Sequence, residues 1–91
     1  MRRVHVAVRG LVQGVGYRFT MRATAEGAGA TGWVRNRHDG SVEAEVEGTR
    51  EQVDAVLDWA AKGPRGGRVD AVEVADVAPA GGQGFEVRPD A

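Results

Sequence analysis

Valine alternates with other residues near the start of the chain: Val4, Val6 and Val8 are separated by His5, Ala7 and Arg9. That period of two predicts a strand over residues 4–9 with one face turned to a core. Residues 10–16 form a loop holding Gly10, Gly14 and Gly16. The period then lengthens. Met21, Ala25 and Ala28 fall at i, i+4 and i+7, which predicts a helix over residues 17–28 that the Gly27/Gly29 pair ends. Two strands, 31–37 and 41–47, follow across the turn His38-Asp39-Gly40. In the second of these, Val42, Ala44 and Val46 face one way and Glu43, Glu45 and Glu47 the other, so one sheet face is expected to be packed and the other solvated. Thr49 and Gln52 have the spacing of a capping box. The apolar stripe Val53, Val56, Leu57 and Ala60 makes the next segment a helix, which Gly63-Pro64 stops. Strands over residues 69–77 and 85–88 flank an Ala80-Gly81-Gly82 turn.

The order is therefore strand, helix, strand, strand, helix, strand and a short terminal strand. With one sheet face wet, both helices must cover the other. The expected fold is α+β: a ferredoxin-like βαββαβ two-layer sandwich, an antiparallel sheet with two helices on one face, as a single domain over residues 1–91. Many activities use this fold, so function has to be argued from a site.

Composition narrows the field. The 91 residues include no cysteine, which removes disulfides, thiolate metal sites and a cysteine nucleophile, and fits a reducing compartment. The N-terminal segment is charged and alternating, unlike a signal peptide, and no apolar run approaches membrane length. The expected setting is cytoplasmic, with no membrane partner. The net charge is −1, which argues against a general nucleic-acid binder, but it is unevenly spread. Residues 1–40 hold seven Arg against Glu26 and Asp39, and residues 41–91 hold five Lys or Arg against eleven acids. The basic first half either favours a small anion or reflects scattered surface charge.

Two segments carry candidate chemistry. The first is Gly10-Leu11-Val12-Gln13-Gly14-Val15-Gly16-Tyr17-Arg18, between a strand end and a helix start. Its glycines admit backbone conformations closed to other residues. Successive N–H groups there can converge on an anion, helped by the helix start. Arg18 in the first turn would add a cationic fork matched to phosphate oxygens. At an effective dielectric near 20, one charge pair at about 4 Å is worth roughly 4 kcal/mol. The loop has neither the Gly-Lys-Ser/Thr ending of a Walker A motif nor the third glycine of a dinucleotide fingerprint, and its glycines alone also suit a tight strand-to-helix turn. The second segment runs from Gly32 to Val42, with Asn36 at a strand end. Its amide offers a donor and an acceptor, suited to holding a water; asparagine also commonly begins a turn.

Taken together, the two segments resemble the acylphosphatase family. Gly10-x-Val12-Gln13-Gly14-Val15-Gly16-Tyr17-Arg18 is followed after thirteen residues by Gly32-Trp33-Val34-x-Asn36, then Asp39-Gly40-x-Val42-Glu43. The likeness continues through Gly48, Leu57-x-Trp59, Gly63-Pro64, Arg68-Val69 and Phe85-x-Val87, nearly the whole chain. The resemblance implies hydrolysis of the carboxyl–phosphate bond of an acyl phosphate. It implies that Arg18 and the backbone amides of Gln13, Gly14, Val15, Gly16, Tyr17 and Arg18 bind the phosphate, and that Asn36 orients the attacking water. It further implies no metal, no cofactor and no phosphoenzyme, with a small-molecule acyl phosphate as the partner of a monomer. Acetyl, carbamoyl, aspartyl and glyceroyl phosphates all remain open as substrates. The same residues agree with this on their own terms, because phosphoryl transfer depends mainly on position and charge neutralisation.

Departures from the family lie on the first helix, where Thr20, Ala28 and Ala30 stand in place of larger side chains and Gly27 costs about 1 kcal/mol against alanine. Trp33, Phe19 and Trp59 are candidates to fill that space. His5 and His38 lack a nearby carboxylate cluster and make a poor metal site. Similar domains also begin large hydrogenase-maturation carbamoyltransferases; a chain ending at Ala91 favours a free-standing enzyme. Nucleic-acid binding on the open sheet face is disfavoured, because His5, Ala7, Arg9, Glu43, Glu45 and Glu47 offer no stacking aromatic there.

Overall fold

The computed structural model describes residues 1–91, in the order β1 (Arg2–Leu11), α1 (Tyr17–Ala28), β2 (Thr31–Asn36), β3 (Val42–Gly48), α2 (Arg50–Lys62), β4 (Arg68–Val77) and β5 (Phe85–Val87). The valines that alternate along β1 are fully buried, and the register sets Val4, Val6 and Val8 opposite Val46, Ala44 and Val42 of β3, equally buried. Onto this face pack Tyr17, Met21 and Ala25 of α1 and Val53, Val56 and Ala60 of α2. The strands form one sheet in the order β4-β1-β3-β2-β5. Four strands pair antiparallel as the sequence suggests, while β5 runs parallel to β2, which makes the sheet mixed.

Two features of the sheet shape its end near residues 10–16. The pairing of β1 with β4 slips between Arg9 and Gly10. Gly10 adopts φ +135°, and a Cβ there would lie 2.2 Å from the Arg68 carbonyl oxygen, so only glycine fits this bulge. At the other edge, pairing continues beyond β5. The Arg88 N–H donates to the Val34 carbonyl at 2.9 Å, Ala91 N–H to the Asn36 carbonyl at 3.0 Å, and His38 N–H to the Ala91 carbonyl at 2.7 Å. The C-terminal tail is thus zipped along β2 toward the same end of the sheet.

The open face is not the solvated surface its alternating glutamates suggest. Glu43 and Glu47 are buried, and only Glu45 keeps appreciable exposure. The reason lies across the strands: the register puts Ala7, His5 and Arg3 of β1 opposite these three glutamates and Arg35 of β2 beside Glu43. Arg3 Nε reaches Glu45 at 2.6 Å and its Nη1 reaches Glu47 at 3.2 Å. His5 Nε2 lies 2.6 Å from Glu43, whose other oxygen accepts from Arg35 Nε at 2.7 Å. Burial works against the charged form of Glu43, but the hydrogen bonds from His5 and Arg35 outweigh it and hold its pKa below the usual carboxylate value. Glu47 is held low first by the Ala80 N–H, which donates to it at 2.7 Å and anchors the segment after β4. Trp33 lies on this same face, with the guanidinium carbons of Arg35 and Arg88 at 5.0 and 4.7 Å from its ring centre.

The two helices end differently. Thr49 caps α2 in a full capping box with Gln52. At its other end, a continuing helix would satisfy the Ala60 carbonyl with the N–H of residue 64, but residue 64 is proline and has none. The Tyr17 hydroxyl donates to that carbonyl instead, at 2.7 Å, and ties the start of α1 to the end of α2. Trp59 packs on the Tyr17 ring with centroids 4.8 Å apart. Of the three aromatics named as candidates, Trp59 is the one in contact with a residue of α1 from the core side. Phe19 is 60% exposed and Trp33 lies on the far side of the sheet.

Candidate functional site

The loop between β1 and α1 is built to leave donors free. Gly14 and Gly16 are left-handed, at φ +77° and +80°, with Val15 of ordinary hand between them. Such alternation turns successive N–H groups toward one side. Gly16 is also the residue that precedes α1, and no side chain caps that end. The N–H groups of Gln13, Gly14, Val15, Gly16, Tyr17 and Arg18 have no backbone acceptor. The first turn of α1 holds no acid. It holds Arg18, a cation at the end of a helix where the macrodipole is already positive. The contrast with the capped α2 is sharp: one helix start is satisfied internally, and the other keeps its donors and adds a guanidinium.

Arg18 is partly exposed, its side chain 28% accessible, and Nη1 lies 3.6 Å from Asp90 Oδ1. Its guanidinium carbon is 5.5 Å from the centre of the Phe19 ring. Asn36 is the last residue of β2, opposite Val42, and shares the helix-covered face with Val34. It is 8% exposed, and its Oδ1 is buried without a hydrogen-bond partner. A buried amide oxygen left without any partner costs about 1–3 kcal/mol.

Two bridges bring the halves of the site together. The C-terminal residues touch both: Asp90 contacts Arg18, and the adjacent Ala91 N–H is bonded to the Asn36 backbone. Gln13 then joins the loop to the turn after Asn36, its Nε2 donating to the Arg37 carbonyl at 2.7 Å and to the Ser41 carbonyl at 2.9 Å. Asp39 steadies that turn by accepting from the Ser41 hydroxyl and N–H, which together lower its pKa. Sequence reasoning identified Gln13 only as a backbone donor and did not identify Asp90. Nothing local to residue 90 signals a role, since its place depends on the tail pairing with β2.

A surface cavity of about 660 Å³ lies at the other end of β1 among Met1, Arg2, Arg50 and Asp76. His5 and His38 belong to no group of three or more potential metal ligands, and no helix is long and apolar enough to cross a membrane.

The Acylphosphatase family model matches residues 4–87. The chain is 50% identical over 84 residues to an acylphosphatase of Acidovorax sp. strain JS42, covering 92% of this chain and 87% of that protein. It is 48% identical over 85 residues to one of Thermococcus kodakarensis, covering 93% of each. The fold superposes on the crystal structure of acylphosphatase from Bacillus subtilis with a TM-score of 0.94 at 29% identity, over 97% of this chain and 99% of that one. It also matches HypF of T. kodakarensis with a TM-score of 0.85 at 32% identity, where 98% of this chain corresponds to 12% of the larger protein.

Proposed function

The chain belongs to the acylphosphatase family and hydrolyses the carboxyl–phosphate bond of acyl phosphates, and on that premise we propose how its residues divide the work. The phosphoryl group of the substrate sits on the loop amides of residues 13–18, with the Arg18 guanidinium forked onto its oxygens. Asn36 holds a water through its unpaired Oδ1, in line with the bond to be broken. The water oxygen bonds to phosphorus as the phosphorus–oxygen bond to the acyl group breaks. The acyl group leaves as a carboxylate, and the water's proton passes to a phosphoryl oxygen. A carboxylate is a good leaving group, so a strong general acid is not required. What the protein supplies is position and charge stabilisation.

The observation that carries this reading is the uncapped start of α1 with an arginine in its first turn. That arrangement is unfavourable for the helix by itself and is explained by an anion bound there. The Asp90 carboxylate at 3.6 Å is a weak, exposed partner that a phosphate dianion displaces from Arg18. The cysteine-free composition supports a cytoplasmic setting.

The test is hydrolysis of an aryl acyl phosphate followed by ultraviolet absorbance, for the wild type and Arg18→Ala, with and without chelator. Turnover by the wild type that chelator leaves unchanged, together with loss of both turnover and inorganic phosphate binding in Arg18→Ala, supports the reading. Undiminished phosphate binding in Arg18→Ala contradicts the role of that residue, and inhibition by chelator contradicts the metal-free mechanism.

A further inference from the structure

The side chain of Gln13 does something its backbone role does not explain. One Nε2 group faces two carbonyl oxygens, Arg37 at 2.7 Å and Ser41 at 2.9 Å, and these bracket the turn that follows Asn36. Both carbonyls already have backbone donors: Gly40 N–H bonds Arg37 at 3.1 Å, and Arg37 N–H bonds Ser41 at 2.8 Å. Carbonyl oxygens have two lone pairs, so the turn is complete without Gln13 and gains from it only a second set of bonds. Those bonds link the loop of free N–H groups to the strand end that carries Asn36.

We propose that Gln13 is a positioning residue, whose side-chain amide fixes the phosphate-binding loop against the Arg37–Ser41 turn and so sets the distance from the bound phosphoryl group to the water held by Asn36. The inference rests on the function proposed above and adds a determinant of its geometry. The residue type follows from the contacts. The site needs one nitrogen with two hydrogens and no negative charge at this reach. Asparagine is a methylene short, and glutamate would set an oxygen against two carbonyls. Loop and strand belong to different elements, and the reaction depends on both. A displacement near 1 Å between them costs as much as about 100-fold in rate while leaving each half able to bind its own partner.

The experiment uses Gln13→Met, which keeps the length and loses the donors. Because both carbonyls retain backbone partners, the variant is expected to fold, and circular dichroism with thermal unfolding checks this. We expect kcat for an aryl acyl phosphate to fall about 10- to 100-fold, while the Ki of inorganic phosphate stays within about twofold of wild type. A second variant, Gln13→Glu, is expected to be worse at neutral pH. It should recover relative to wild type as pH falls and the carboxyl gains a proton to donate. A folded Gln13→Met with wild-type kcat overturns the proposal. So does a parallel loss of kcat and phosphate affinity, which would mean that Gln13 maintains the loop itself. Absence of turnover in the wild type overturns the functional reading and this inference with it. Wild-type turnover with unchanged kcat in Gln13→Met overturns this inference alone.

Discussion

Replacing Tyr17 by phenylalanine isolates a single hydrogen bond that links the site to the fold. The hydroxyl lies 2.7 Å from the Ala60 carbonyl, and the residue is 1% exposed, so water has no route to take its place. Burial pushes the Tyr17 phenol well above its ordinary pKa, which favours the neutral, donating form. The ring remains in Tyr17→Phe, and with it the contact to Trp59 at 4.8 Å, so packing is largely unchanged. What is lost is the only donor to a carbonyl that Pro64 cannot serve. An unsatisfied buried acceptor costs about 1–3 kcal/mol, and for a domain of this size each kcal/mol lowers Tm by about 4–8 °C. Urea unfolding followed by tryptophan fluorescence, with Trp59 as a reporter beside the lesion, should show a lower midpoint with an unchanged slope. A destabilisation below about 0.3 kcal/mol would refute the reasoning, since it would mean that the carbonyl finds another partner or never needed one.

Two further outcomes test the rest of the structure. The pKa of Glu43 is depressed in the fold, so its stabilisation is complete above the ordinary carboxylate value of 4.5 and is lost as pH falls through the lower folded value. Glu43→Gln should therefore be less stable near neutrality and lose less on acidification. Urea midpoints taken from neutral to acid pH check this, and curves that stay parallel to wild type would contradict it. Gly27 lies in the last turns of α1, where a Cβ would meet nothing within 4 Å. Gly27→Ala is expected to stabilise by about 0.5–1 kcal/mol with unchanged kcat, and a drop in Tm would contradict that accounting.

Much of this was legible along the chain, for identifiable reasons. Period-two valines found β1 and β3, and the Thr49–Gln52 spacing found a capping box that forms as read. These are local rules, and the core obeys them. The loop glycines, Arg18 and Asn36 stand out only as paired motifs, since each alone also suits an ordinary turn. The fate of Glu43 and Glu47 was not legible, because alternation shows which face a side chain occupies and not what the neighbouring strands place beside it. Arg3 and Arg35 pair with these glutamates and His5 hydrogen-bonds to Glu43, which turns that face into a part-buried polar network. The contacts of Gln13 with residues 37 and 41, and of Asp90 with Arg18, were hidden for the same reason. Both join segments distant in sequence, and both depend on register and on the path of the tail.

The most direct test of the division of labour at the site compares binding with turnover in Asn36→Ala. If Asn36 holds the attacking water while Arg18 and the loop hold the phosphoryl group, this variant loses kcat by about 100-fold or more and binds inorganic phosphate with wild-type Ki. Retained kcat, or a loss of phosphate binding that matches the loss of turnover, would contradict that arrangement.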